Sequence, residues 1–302
     1  MSIQLGYACI NQHLSDTQNV TASRTMRKAT FQKKGLPGVS ELIVSNLMSL
    51  QKIMHWNAAN GFKVYRMSST MFPWSSEYSF KDLPDYKVIR SQLETIGQFA
   101  IDHGIRLSFH PGQFVCLGSH KSKVVENSIY ELETHGRIMD WMLQPRDHSA
   151  KINIHIGGAY DDKPGTAKRF LKVADRLSAS VYDRLTVEND DRPNLYTTQE
   201  LYDMVYCESG IPIVFDYHHH LCNPGVLTEA EALSLAISTW QNAKPCTHYS
   251  ESAQVEGKKT IFRAHSSYIY DKINDHGFDI DCVVEAKAKE QAVIKYLNTY
   301  GE

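Results

Sequence analysis

Short apolar runs recur along the chain and alternate with longer stretches of helical period. The runs lie at residues 3–8, 63–67, 106–109, 151–154, 184–187, 211–215, 245–249 and 281–284. Each has the length and apolar continuity of a strand buried on both faces. Between them, amphipathic spacing predicts helices over 39–59, 86–103, 123–143, 166–179, 197–206, 228–236 and 287–297. Thr197 and Thr228 are each followed three residues later by glutamate, the signature of a capped helix start. Asn60-Gly61 and His103-Gly104 supply glycine where a helix must stop before the next run. Residues 250–279 read as loop with a short helix at most. Eight strand–helix units predict an α/β fold, a (β/α)8 barrel forming a single domain over 1–302. The rival, a doubly wound open sheet, would carry its glycine fingerprint after the first run, and none is there.

Composition narrows the class further. The 302 residues are 42% hydrophobic and 22% charged, with ordinary proline and glycine content, so disordered, fibrous and coiled-coil readings drop out. No run of 18 apolar residues occurs, and the start lacks a basic stretch leading into an apolar one. These features lead us to expect a cytoplasmic protein with no membrane partner, nucleoid-associated if the source is bacterial. The six cysteines are scattered without a paired motif, which argues against a zinc ribbon or a disulfide framework. A net charge of −2 neither indicates nor excludes nucleic acid, because a local basic strip suffices. The 14 histidines say more, through where they fall.

The residues that close the apolar runs are Tyr7, His110, His155, Glu188, Asp216, His248 and Glu285. Six of these seven are metal-ligand types, and from His110 onward they are spaced by 45, 33, 28, 32 and 37 residues, about one strand–helix unit each. On a closed barrel all six converge on the C-terminal rim. Any one of them could be a structural hydrogen-bonder. Together, without a cation, they would suffer repulsion and desolvation that a divalent metal reverses. Mixed nitrogen and oxygen donors suit Mn²⁺ or Zn²⁺ better than Ca²⁺. The segment from Asp216 to His220 adds three histidines in what reads as a polar loop, with at least one expected to face solvent. More than five ligands exceed the needs of one ion, so two or three metals are expected. Such a clamp serves phosphodiester hydrolysis, and sugar isomerases use the same donors differently.

Seven strings carry a resemblance. They are Leu5 to Asn11, Tyr65 to Ser69, Ser108 to Phe114, His155 to Tyr160, Val187 to Asp190, Asp216 to His220 with Asn223-Pro224-Gly225, and Val284 to Lys287. In this order, across nearly the whole chain, they resemble the UV damage endonuclease family, related in architecture to the AP endonucleases of the endonuclease-four type. The resemblance implies a DNA repair enzyme that nicks damaged duplex immediately 5′ to pyrimidine dimers and 6-4 photoproducts. Metal-activated water would leave 3′-hydroxyl and 5′-phosphate ends. It implies His110, His155, Glu188, Asp216, His219, His248 and Glu285 as ligands of two or three divalent ions, Mn²⁺ first and Zn²⁺ or Mg²⁺ as alternatives, with Glu188 bridging. Gln113 and Phe114 match a wedge that enters the duplex at the lesion, and Tyr7 and Asn11 match positions lining the lesion pocket. Lys287, with Lys289, would approach the phosphate backbone at the start of the last helix. Gly157-Gly158 needs only a tight turn. A monomer without organic cofactor is expected.

Two positions depart from the family's pattern. Glu77 stands where a histidine is usual, and it could still serve as a metal ligand while changing metal preference. Cys246 stands where lysine often precedes the strand-seven histidine, so the site's electrostatics are expected to be retuned. Two rival readings follow: a xylose-isomerase-like sugar isomerase or epimerase, and a damage-binding protein that no longer cleaves.

Overall fold

The structure is a computed structural model describing residues 3–241 and 243–301. Eight parallel strands, β1 (Gln4–Ala8), β2 (Val64–Met67), β3 (Arg106–Phe109), β4 (Ile152–Ile154), β5 (Leu185–Glu188), β6 (Ile213–Val214), β7 (Cys246–Tyr249) and β8 (Asp281–Val284), pair in the order β6-β5-β4-β3-β2-β1-β8-β7. The ends meet through a parallel bridge between Asp216 and His248, whose N–H donates to the Phe215 carbonyl at 2.9 Å. The sheet is therefore a (β/α)8 barrel. Each regular strand lies within its predicted run or reaches one residue past it, as β5 does in including Glu188. The shortest is β6, where regular pairing keeps only two of the five residues expected at 211–215.

Strand alternation places the chemistry. Ala8, Val64, Val214, Cys246 and Val283 pack together as a small apolar cluster separate from the main core, which marks them as the barrel's inner layer. Two residues further along β2, β6, β7 and β8, on the same face, stand Arg66, Asp216, His248 and Glu285. A period of two returns each side chain to the interior one layer nearer the mouth. The ligand-type residues are thus lifted to the C-terminal rim by strand geometry alone.

The helices follow their amphipathic patterns with shifted ends. The predicted helix at 39–59 is the second part of α2 (Lys28–Ala59), which is broken at Gly35 (φ 58°, ψ −156°) just before Pro37. That proline sits at the start of the renewed helix, where its missing N–H costs nothing. α3 (Tyr86–Asp102) and α4 (Ser122–Trp141) match closely. The stretch at 166–179 resolves into α5 (Lys163–Ala174), which starts early because Asp162 caps it by accepting the Gly165 N–H, and a separate turn, α6 (Ala179–Tyr182). α7 (Thr198–Leu201) begins with the expected Thr197–Glu200 capping box and continues through a π-turn into α8 (Cys207–Ser209). α10 (Glu229–Ser238) begins with the Thr228–Glu231 box. The last helix, α11 (Glu290–Tyr300), starts three residues later than predicted.

Two helices are absent from the sequence reading, α1 (Gln12–Gln18) and α9 (Tyr217–Cys222). The second corrects the polar-loop expectation. Asp216 caps α9 by accepting the His219 N–H, and none of its three histidines faces solvent: His218 and His220 are buried and His219 is half-buried. No helix among the described residues is long and apolar enough to cross a membrane.

Candidate metal centre

Glu188 closes β5 inside the barrel and is 1% exposed. Four histidines surround its carboxylate. His110 Nε2 lies 3.2 Å from Oε2, His248 Nδ1 2.9 Å from Oε2, His219 Nδ1 3.3 Å from Oε1, and His155 Nε2 3.8 Å from Oε1. Asn153, two residues before His155 on the inward face, donates its amide N–H to Oε2. Glu285, at the end of β8, is 3.3 Å from His248 Nδ1 and is paired with Arg66 from β2.

Ligand atoms converge in two triads, His110–His155–Glu188 and Glu188–Asp216–His248, each with its atoms within 4.8 Å of one another. Glu188 belongs to both, the arrangement a bridging carboxylate needs. Burial would raise its pKa, yet the field of His248 and His155 and hydrogen bonds from His110 and His219 hold it well below the ordinary carboxylate range. Asp216 goes the other way, to about 7, through burial and the negative charge of Glu188 and Glu285, against the opposing pull of His219. His155 is pushed up to about 9 because Glu188 and Asp190 outweigh its burial.

Crowding of this kind is costly unless a cation compensates it. Asp216 Oδ2 is buried and has no hydrogen-bond partner among the described residues, while Oδ1 accepts the His219 N–H at 2.7 Å. A buried carboxylate oxygen left bare, on a residue whose ligand atoms group with those of Glu188 and His248, fits a divalent cation, as does the nitrogen–oxygen donor mixture. Supporting groups orient the donors. Asp190 Oδ1 is 2.9 Å from His155 Nδ1 and the Asn189 carbonyl is 2.9 Å from His219 Nδ1; Lys151 Nζ also lies 3.0 Å from His248 Nε2.

Seven of the expected ligands therefore assemble: His110, His155, Glu188, Asp216, His219, His248 and Glu285. Glu77 does not join them. Trp74 takes a left-handed turn (φ 58°) and starts a 3₁₀ turn over Ser75–Glu77, which leaves the Glu77 side chain in solvent. Tyr7 and Asn11 are also displaced from their expected role. Both are fully buried, the Tyr7 hydroxyl donating to Asn57 at 2.7 Å and accepting from Asn11 at 2.8 Å, while Asn11 caps α1. Every polar atom they offer is committed inside the wall rather than presented to a pocket.

Gln113 and Phe114 lie in the loop after β3, and Phe114 is 80% exposed. Gln113 lines two cavities, of about 580 and 610 Å³, and the second has His155 and His219 on its wall. Lys287 is exposed two residues beyond Glu285; it precedes α11 rather than opening it, and Lys289 is the residue before the helix. Cys246 belongs to the inner apolar layer, and the lysine side chain beside His248 is Lys151, just before β4. Sequence reasoning missed Arg66, Lys151, Asn153 and Asp190. Arg66 sits at the same inward level of β2 as the ligand residues do on their strands, a signal that a search confined to metal-ligand types passes over.

A family model described as UV-endonuclease UvdE matches residues 3–301. The UV-damage endonuclease of Schizosaccharomyces pombe is 36% identical over 98% of this chain and 50% of its own length, so the chain spans half of that relative. The UV DNA damage endonuclease of Bacillus cereus (strain Q1) is 33% identical over 99% of this chain and 94% of its own. The crystal structure of SacUVDE superposes with a TM-score of 0.86 at 27% identity, over 99% of this chain and 98% of that one. Endonuclease IV from Thermus thermophilus, at 13% identity and TM-score 0.59 over 98% and 97% of the two chains, shares the fold.

Proposed function

Because the chain belongs to the UV-endonuclease UvdE family, we propose that it nicks UV-damaged duplex DNA immediately 5′ to pyrimidine dimers and 6-4 photoproducts, leaving 3′-hydroxyl and 5′-phosphate ends. The observation that carries this reading is the pair of ligand triads sharing Glu188 at the barrel mouth, beside the exposed Gln113–Phe114 tip.

His110 and His155 would hold one divalent ion, Asp216 and His248 another, with Glu188 bridging and His219 and Glu285 completing the set. Bound there, Mn²⁺ ions would supply Lewis acidity toward the phosphodiester and a nucleophilic water at neutral pH. The chain's own residues do the rest. Arg66 fixes Glu285, while Asp190 and the Asn189 carbonyl, each 2.9 Å from an Nδ1, would hold the proton on that nitrogen of His155 and of His219. Gln113 and Phe114 would enter the duplex at the lesion, where damaged pairs cost least to unstack, and the two cavities flanking Gln113 leave room for displaced bases. Lys287 would meet the backbone as it crosses the rim.

The first test is an end-labelled duplex carrying one cyclobutane dimer, incubated with Mn²⁺ and separately with EDTA, with the break mapped. A single Mn²⁺-dependent nick 5′ to the dimer is expected. No incision on any divalent metal overturns the nuclease reading. Replacing Gln113 and Phe114 together by alanine should weaken affinity for the dimer duplex about tenfold or more with the metal content unchanged. Loss of metal in that variant would instead place the loop in the metal centre.

A further inference from the structure

The segment after β7 carries a second apolar tip. Its base is tightly held. The Ala253 N–H donates to the Ala264 carbonyl at 2.6 Å and the Ser266 N–H to the Glu251 carbonyl at 2.7 Å, and the Glu256 carboxylate accepts the Ser267 N–H at 2.6 Å. The Lys287 N–H, donating to the Ser266 carbonyl at 3.0 Å, ties this base to the end of β8 and so to the rim of the mouth. Beyond the base, Lys258 to Arg263 project outward. Ile261 is 64% and Phe262 43% exposed, with the exposed Lys259 before them; Lys258 is ion-paired with Glu256 at the base, and Arg263 lies 3.4 Å from Asp191.

In the strand order, β7 lies four strands from β3 in either direction round the closed barrel, so this tip and the Gln113–Phe114 tip stand on opposite sides of the metal centre. An aliphatic and an aromatic side chain held in water beside the exposed Lys259 match duplex DNA. A lysine such as Lys259 meets phosphate there, and apolar groups meet sugar edges or wedge into a base step from the minor groove. We propose that Ile261 and Phe262 form a second DNA-engaging element, gripping the duplex across the mouth from the lesion wedge so that the DNA is bent over the metal centre. This rests on the nuclease reading above.

The test compares wild type with Ile261→Ser/Phe262→Ser, with Ile261→Ser alone, and with Lys259→Gln, using a dimer-containing duplex labelled at both ends for energy transfer. Ile261 is the safer single change, since the Phe262 ring packs 5.5 Å from buried His218. The serine variants should bind the dimer duplex about tenfold more weakly and bend it less, with bound Mn²⁺ unchanged. Lys259→Gln should lower the slope of log affinity against log salt by about 0.9 and leave the bend intact. Wild-type affinity and bend in Ile261→Ser, with incision persisting, overturn this assignment and leave the nuclease reading standing. Failure of wild type to bind or incise the duplex overturns both.

Discussion

Asp190 touches no expected cation position, yet its Oδ1 is 2.9 Å from His155 Nδ1. A carboxylate behind a histidine fixes the ring's tautomer and raises the basicity of the far nitrogen, and outer partners of this kind are worth roughly 10- to 100-fold in metal affinity. Asp190→Asn is therefore expected to weaken Mn²⁺ binding within that range, read by metal titration, with folding unaffected. His135 offers a test of burial. It sits on α4 against the Phe109 ring, with Nδ1 2.8 Å from the Glu131 carbonyl, and burial lowers its pKa from 6.5 to about 4. The unfolded chain takes up this proton first. The stability His135 contributes is thus fully present above pH 6.5 and is lost as pH falls toward 4, up to about 3 kcal/mol. Urea midpoints measured from pH 7 to pH 4.5 should fall, and less steeply in His135→Gln. At this scale six of the seven candidate ligands were legible in the sequence because each closes an apolar run, while His219 lies within α9. Their partners were not: Arg66 meets Glu285 and Lys151 meets His248 only because the barrel closes.

Elements were legible where a local signal sets them. The Thr197 and Thr228 boxes begin α7 and α10 as read, since the hydrogen bonds that make a cap span only three residues. α1 and α9 escaped because they are short, and each is held by a cap from a buried residue, Asn11 or Asp216, rather than by an amphipathic stripe. Glycine at helix crossings was equally invisible. Gly97 faces the end of α4, and a Cβ there would overlap the Met142 carbonyl oxygen, a backbone atom that cannot rotate aside. Gly97→Ala should cost about 1–3 kcal/mol or more, measured by urea unfolding, despite alanine's better helix propensity.

For the whole molecule, the candidate metal centre would couple function to stability. Glu188, Asp216 and Glu285 lie among four histidines at the top of the barrel, and every strand from β5 to β8 contributes to the cluster. Cations that bind only the folded chain stabilise it by mass action, about 2.7 kcal/mol at a hundredfold excess over the dissociation constant. For a chain of this size, Mn²⁺ titrated into metal-free protein should raise the melting temperature by about 5 °C, and EDTA should return it. Alanine at Glu188 should abolish that shift, whereas alanine at the exposed Glu77 should leave it intact.

The sequence by itself determined the barrel and the height of its chemistry. Strand runs, helix periods and caps are local, and alternation carries the closing residues of runs three to eight to the inner face at the rim. Only the tertiary structure decided which of the recognised positions share that space. It gathered seven candidate ligands and left Glu77 in solvent, because a turn at Trp74 directs that side chain outward. It also enclosed Tyr7 and Asn11 in the wall and supplied the lysine beside His248 from the start of β4. Such outcomes depend on side chains tens to hundreds of residues apart meeting once the sheet closes, and no local pattern encodes those distances.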